Sequence, residues 1–255
     1  MTVWALSDPH LSLGIANKKM DKFGENWEGH PDKIAAHWNK LVSPNDLVLV
    51  SGDISWAMRL EDALPDLDWL HSLPGTKVVL RGNHDYWWGS LKKMAPFIPS
   101  SIHLIQNNVF NWDGEGQRIS IGGSRLWDSN EFSFGGVAAG EEEGIPADQA
   151  AEDALREEER EKIFLRELQR LELSLKALDS HAKTRIALTH YPPLGADLKP
   201  SRTSELLKKY KIDICVFGHL HGIKVGSMPF GISNDGIRYV LASCDYLNFT
   251  PLGIL

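Results

Sequence analysis

Short apolar runs separated by longer amphipathic stretches set the pattern of this chain. Five runs have the length and β-branched content of buried parallel strands: Thr2–Leu6, Leu47–Val50, Lys77–Leu80, Arg185–Leu188 and Asp213–Phe217. Helical spacing lies between several of them. Pro31–Leu41 opens with proline at a first helical position. Leu60–Leu73 spaces its leucines for a helix, with Pro65 as a point of break or restart. Ser204–Tyr210 predicts a short helix before the fifth strand. Strands alternating with helices imply an α/β fold.

Two other regions are strand-rich. Ile102–Gly122 holds two or three candidate strands with an Asp113-Gly114 turn. Residues 223–243 hold two more, split by the turn signal Ser233-Asn234-Asp235-Gly236. Together with the five runs they predict two mixed β-sheets packed as a sandwich.

Residues 135–183 stand apart. Gly135-Gly136, Gly140 and Glu141-Glu142-Glu143 begin the segment, and Pro146 to about Leu178 predicts one or two long helices. Residues 157–162 put opposite charges three and four apart, as on a solvated helix face. Ile163, Leu168, Leu171, Leu175 and Leu178 form an apolar stripe. The segment reads as a helical acidic insertion, either packed on the surface or acting as a lid or oligomer contact. With no repeats and no low-complexity linker, residues 1–255 are expected to form a single domain.

Composition narrows the function. Hydrophobic residues make up 42% and charged residues 24%, which is ordinary globular composition rather than disorder. The net charge of −7 argues against a nucleic-acid surface, which needs clustered Lys and Arg. No apolar stretch approaches the roughly 20 residues of a membrane span. MTVWALSD lacks the basic and apolar regions of a signal peptide. Cys215 and Cys244 both lie in or beside apolar runs, where buried free thiols are expected. These features fit a reducing, cytoplasmic compartment.

The chemistry lies where the strands end. Asp8 and His10 follow the first run, Gly52-Asp53 the second, and Gly82-Asn83-His84-Asp85 the third. His190 follows the fourth, and Gly218-His219-Leu220-His221 the fifth. In an open α/β sheet the crevice beyond the carboxyl ends of the strands binds ligands. A strand-ending Asp or Asn is commonly a turn residue, but five such endings together are not explained by turns. His30, His37, His71, His103 and His181 lie elsewhere and read as structural or exposed. Imidazoles, carboxylates and an amide, without thiolate, describe a site for Mn, Fe, Zn, Ni or Co. Asp8, His10, Asp53, Asn83, His190, His219 and His221 are too many donors for one tetrahedral ion. They suit two divalent or trivalent ions sharing a carboxylate, roughly 3.5–4 Å apart. Gly52, Gly82 and Gly218 each precede a donor, where a missing Cβ permits close approach.

The series Asp-x-His, Gly-Asp, Gly-Asn-His-Asp, a lone His and Gly-His-x-His resembles the calcineurin-like metallophosphoesterases, in order from Asp8 to His221. The resemblance implies a two-sheet sandwich flanked by helices, with metals at the strand ends. It implies that Asp8, His10, Asp53 and His221 hold one ion. Asp53, Asn83, His190 and His219 hold the other, with Asp53 bridging. His84 would act at the leaving group, and Asp85 would orient its imidazole. The protein Ser/Thr phosphatases of the family continue the second motif as Gly-Asp-x-x-Asp-Arg-Gly. Here the stretch is Gly52-Asp53-Ile54-Ser55-Trp56-Ala57-Met58, so the chain is more similar to bacterial-type phosphohydrolases of small molecules, nucleotides or lipid-linked phosphates.

Several of the nine tryptophans fall near the motifs. Trp56, Trp87, Trp88 and Trp127 either form an aromatic wall for a substrate or pack beneath the loops. Arg125 either reaches a phosphate or forms a surface ion pair, and Arg81 is expected in an ion pair that supports its loop. The leading expectation is hydrolysis of a small-molecule phosphate monoester or diester. Its rivals are a cyclic-nucleotide phosphodiesterase or nuclease on the same site, and a non-catalytic scaffold that would have lost its ligands.

Overall fold

The computed structural model describes the chain apart from residues 17, 115, 133, 135–149, 224–229 and 234–235, and gives the backbone alone over 150–156. In chain order the strands are β1 (Val3–Ala5), β2 (Leu47–Val50), β3 (Thr76–Leu80), β4 (Ile102–Ile105) and β5 (Val109–Gly114). Then come β6 (Gln117–Ser124), β7 (Thr184–Thr189), β8 (Ile214–Phe217), β9 (Arg238–Leu241) and β10 (Leu252–Gly253). The helices are α1 (His30–Leu41), α2 (Leu60–Ser72), α3 (Leu91–Met94), α4 (Ala150–Lys176) and α5 (Arg202–Lys209). None of them is long and apolar enough to cross a membrane.

The strands form two mixed five-stranded sheets, β10-β1-β2-β3-β4 and β5-β6-β7-β8-β9. Within each sheet four strands run parallel, and one edge strand, β10 or β5, is antiparallel. The period of two sorts side chains between layers. Leu47 and Leu49 of β2 face the inter-sheet core with Ile119, Ile121, Ile186 and Leu188. Val48 and Val50 face the opposite way, onto Ile34 and Trp38 of α1 and Leu67 and Leu70 of α2. On the far side, Ala187, Cys215 and Phe217 pack against α4 and α5. The result is a sandwich flanked by helices on both outer faces, and Cys215 and Cys244 are buried free thiols.

Local chemistry moved some boundaries. α2 continues through Pro65, giving up one backbone bond while Ala63, Leu67 and Leu70 are buried. α5 starts at Arg202, before the expected Ser204, because Ser201 and Ser204 cap it reciprocally. The β5–β6 pairing of Asp113 with Arg118 and of Gly114 with Gln117 places Asp113-Gly114 in the strand rather than in the turn. Of the two strands expected over 223–243, β9 forms, and Ile232 adds an isolated bridge to Arg238. Ser233 and Gly236 are bonded across the predicted turn, whose centre at Asn234-Asp235 lies outside the described residues. So do Gly135-Gly136, Gly140, the Glu141–Glu143 run and Pro146.

α4 is one helix packed on β6. Its buried seam is Phe164, Glu167, Leu171, Ser174 and Leu175; Leu171 and Leu175 belong to the expected apolar stripe, whose Ile163, Leu168 and Leu178 are half-buried. Ser174 Oγ accepts from Gly123 N at 2.8 Å and donates to Asn108 O at 2.7 Å.

At the other end of the sandwich, Asp46 pins the start of β1 to the start of β2. Its carboxylate accepts from Thr2 N (2.8 Å), Trp4 Nε1 (3.0 Å) and Ser43 N (2.9 Å). Asp46→Ala strands these donors. We expect a loss of about 3 kcal/mol, seen as a lower urea midpoint with an unchanged slope.

Candidate metal centre at the strand ends

The carboxyl ends of the two sheets meet because β1 and β9 extend toward each other. Ser7 and Ser243 bridge in parallel, with Ser7 N on Ala242 O and Cys244 N on Ser7 O. Asp8 and His10 leave β1 here, Asp53 leaves β2, and Asn83 leaves β3. His190 leaves β7, and His219 and His221 leave β8. Four of these residues take left-handed backbone angles: Asp8 (φ 58°), His10 (45°), Asp53 (53°) and His219 (69°). Each costs about 1–3 kcal/mol and persists only where the surroundings impose it. Backbone bonds do so, with Asp8 N on Gly52 O and His10 N on Asp53 O, both at 3.0 Å. Two glycines permit the crowding. A Cβ on Gly218 would collide with Asp8 Oδ2, and one on Gly82 with Asp53 Oδ1.

The side chains converge. His10 Nε2 lies 3.1 Å from His221 Nε2 and 3.7 Å from Asp53 Oδ2. Asp8 Oδ1 is 3.9 Å from His221 Nε2 and 3.8 Å from His190 Nδ1. Asp53 Oδ2 is also 3.4 Å from His190 Nε2. Asn83 Oδ1 lies 2.5 Å from His190 Nε2 and 3.0 Å from His219 Nδ1. Two overlapping groups, Asp8–His10–His221 and Asp8–Asp53–His190, have the spacing to hold a metal ion.

The donor chemistry fits cations. His190 Nδ1 faces the Ser51 carbonyl at 2.8 Å and so must donate, which leaves Nε2 as the ring atom that faces Asn83 Oδ1 and Asp53 Oδ2. His221 Nδ1 faces Asp245 Oδ1 at 2.8 Å, which turns its Nε2 toward that of His10. Asp8 Oδ2 is buried without a hydrogen-bond partner. Imidazole nitrogens, carboxylate oxygens and an amide oxygen crowded together, beside a buried carboxylate oxygen without a partner, leave places that a positive ion satisfies.

Charge within the protein follows the same logic. Burial pushes Asp8 up to about 6 and His10 and His219 down to about 3, which keeps both imidazoles neutral. Burial alone would lower His190, but the Asp53 and Asp8 carboxylates raise it to about 9. Burial would raise Asp53, and His190 instead holds it well below the usual carboxylate range. Burial also lowers His84.

His84 sits at the rim. Its backbone N donates to Asp53 Oδ1 at 2.8 Å, its ring lies 4.3 Å from the Trp56 ring, and its buried Nδ1 has no partner. Asp85 does not orient that imidazole as expected. Its carboxylate turns inward and accepts from Asp53 N, Gly82 N, Ile54 N, Ser55 N and Trp87 Nε1, at 2.8–3.1 Å. Burial and the Asp53 charge push it up to about 6, so at neutral pH the five donors still meet an ionised acceptor.

The aromatic residues divide. Trp87 and Trp88 are core residues, and Trp88 Nε1 is spent on Gln106 Oε1, so Trp88 is not a substrate contact. Trp56 stacks on His10 at 4.9 Å and 22°. Trp127 is half-buried beneath the Arg125 guanidinium at 4.6 Å. Arg125 lies 3.8 Å from Glu167, a partly buried pair rather than a surface one.

Four supporting residues escape a motif search. Asp245 orients His221. Trp27 stands edge-on to His221 at 5.6 Å. His30 bonds Pro9 O between two donors. Cys244 Sγ bonds Asp8 O at 2.9 Å. Asp245 had a sequence signal as a site residue, since it too follows an apolar run, and Cys244 beside it was expected to be a buried thiol.

Comparison with known proteins gives the family. Residues 1–222 match the family model for calcineurin-like phosphoesterases, and the chain belongs to that family. It is 36% identical over 83 residues, 32% of its length, to the Gene 66 protein of Mycobacterium phage D29, and the match spans 40% of that protein. The phosphopantetheinyl hydrolase PptH from Mycobacterium tuberculosis superposes with a TM-score of 0.57 at 17% identity, over 100% of this chain and 95% of that one. The calcineurin-like phosphoesterase YfkN from Bacillus subtilis gives 0.47 at 17% identity, over 94% and 80%.

Asp85→Asn would point an amide N–H₂ at backbone donors. We expect a destabilisation of about 3 kcal/mol by urea titration. His84→Ala should leave the midpoint almost unchanged. Equal, small effects would return Asp85 to the role of positioning His84.

Proposed function

We propose that this protein is a dinuclear metal-dependent phosphoesterase that hydrolyses a small-molecule phosphate monoester or diester. The observation that carries the reading is the place of Asp53 Oδ2, between His10 Nε2 at 3.7 Å and His190 Nε2 at 3.4 Å. One carboxylate oxygen thus lies between imidazoles that come from different sheets, as a shared ligand must. In this reading Asp8, His10, Asp53 and His221 hold one cation, and Asp53, Asn83, His190 and His219 hold the other. Mn, Fe, Zn, Ni or Co suits the donors.

Such cations, when bound, polarise the phosphoryl oxygens and lower the pKa of the attacking water. The remaining work belongs to side chains. His84 holds a proton for the departing oxygen, and its unpartnered Nδ1 supports that role. Its backbone bond to Asp53 and its contact with Trp56 set the position of the ring. Asp85 is a positioning residue for the two loops that carry Asp53 and Asn83. The two buried free thiols suit a reducing, cytoplasmic setting.

A metal screen tests the proposal. Protein loaded in turn with each candidate ion is assayed on an aryl phosphomonoester and an aryl phosphodiester. Activity with at least one ion, and about two bound ions per chain by elemental analysis, is expected. Absence of both bound metal and activity would overturn the reading, while preference between the esters sets the substrate class.

His84→Asn separates proton donation from metal binding. Metal content should stay at the wild-type level. The rate on an alkyl ester should fall about 10²- to 10⁴-fold, and the rate on an aryl ester with a good leaving group far less. Equal losses on both esters would remove His84 from the leaving-group step.

A further inference from the structure

Beside the candidate centre lies a charged cluster that it does not use. Arg81 follows β3, Arg125 follows β6, and Arg166 and Arg170 project from α4. One buried carboxylate faces them. Glu167 Oε1 is 2.6 Å from Arg170, 3.4 Å from Arg166 and 3.8 Å from Arg125. Its other oxygen accepts from Ser124 Oγ at 3.2 Å. Arg81 forms no ion pair among the described residues, contrary to the sequence expectation, and its Nε is buried without a hydrogen-bond partner. Four guanidinium charges against one carboxylate leave the cluster at +3, in a chain whose net charge is −7.

Arg81, Arg125, Arg170, Glu167, Gln106 and Asn107 border a cavity of about 40 Å³. At about 10–15 Å³ per water-sized group, it admits a carboxylate or a phosphoryl group but not a sugar or base. Guanidinium forks match those oxyanions in geometry and charge. The cavity opens at the carboxyl ends of β3, β4 and β6, the same edge that carries the metal candidates. Ring contacts connect the two: Arg125 over Trp127 at 4.6 Å, Trp127 to Tyr191 at 5.0 Å, and Tyr191 to His219 at 4.1 Å.

We propose that this cavity is a second anion subsite, which takes a distal phosphoryl or carboxylate group of the substrate while the scissile phosphoester lies at the strand-end centre. The substrate half of the proposal rests on the phosphoesterase reading. Free phosphate offers the same chemistry, so the test must separate the two sources.

Alkanediol bisphosphates of increasing length are compared with alkyl monophosphates of the same length on metal-loaded protein. Wild type should favour one bisphosphate length by at least tenfold in kcat/KM. Arg81→Gln should reduce that advantage to within twofold, through KM, and leave the monophosphates unchanged. Arg170→Gln repeats the test from α4. The absence of a bisphosphate preference, or an equal loss on both series, overturns the subsite.

Calorimetric titration with inorganic phosphate gives an independent readout. Two phosphate sites in wild type and one in Arg81→Gln support the cavity as an anion site. The same result without bisphosphate preference assigns it to free phosphate and overturns the substrate half. If no ester is hydrolysed, the phosphoesterase reading fails, and the titration alone decides the cavity. Unchanged titration in Arg81→Gln then overturns it. The melting temperature of Arg81→Gln should hold or rise, because an uncompensated charge is removed. A clear fall would make Arg81 structural and overturn the proposal.

Discussion

The Asp85 carboxylate is the constraint on which the rest of the site depends. It draws together the backbone N–H groups of Asp53, Ile54 and Ser55 beyond β2 and that of Gly82 beyond β3. Loop N–H groups that would otherwise be buried and unpaired are satisfied by one acceptor. The two strand ends are therefore fixed relative to each other before any ligand is present. Asp53 is held in its left-handed conformation, and its side chain receives the His84 N–H. The absent Cβ of Gly82 lets that carboxylate sit against the neighbouring loop. A hydrogen-bond network of this kind rigidifies because every member is satisfied.

The other half of the centre is built by a parallel device on the second sheet. The Ser7–Ser243 bridge joins the sheets at their carboxyl edge, and Cys244 Sγ fixes the Asp8 carbonyl. Gly218 gives Asp8 room, and Asp245 sets the ring of His221. Each half of the centre thus has one buried carboxylate that binds backbone or imidazole N–H groups, and one that presents oxygens to the site. Asp85 and Asp245 do the first, Asp53 and Asp8 the second. The seam between two sheets is a suitable place for this, because strand ends there arrive from two directions without covering each other.

What the sequence made legible was the chemistry that repeats. Five apolar runs each end in Asp, Asn or His, and their coincidence located the centre and the two-sheet sandwich. What it hid was orientation. Asp85 adjoins His84 in sequence, yet the loop turns its carboxylate inward, which no residue pattern discloses. Trp88 looked like a wall and is core, since burial depends on the loop's path and not on its neighbours. Asp245 was readable by the rule used for the other five endings, but it stands apart from any motif. In the seam of α4, Leu171 and Leu175 of the expected stripe are joined by Glu167, which a periodicity count misses because a buried glutamate looks polar. Its burial makes sense only with Arg125 and Arg170 around it.

That last point bears on where the molecule gives up stability. The left-handed donors, the close-set Nε2 atoms of His10 and His221, the unpaired oxygen of Asp8 and the unpaired Nε of Arg81 all lie along one edge of the sandwich. At the opposite edge Asp46 meets its backbone and indole donors. The strain and unmatched charge at the strand-end edge are what ligand binding would relieve, with cations for the carboxylates and anions for the guanidiniums. The two needs are opposite in sign and adjacent. With cations held at the carboxylates, a molecule that offers one anionic group to those cations and another to the guanidiniums would satisfy the edge more fully than a simple monoester, which leaves the arginine cavity unmatched.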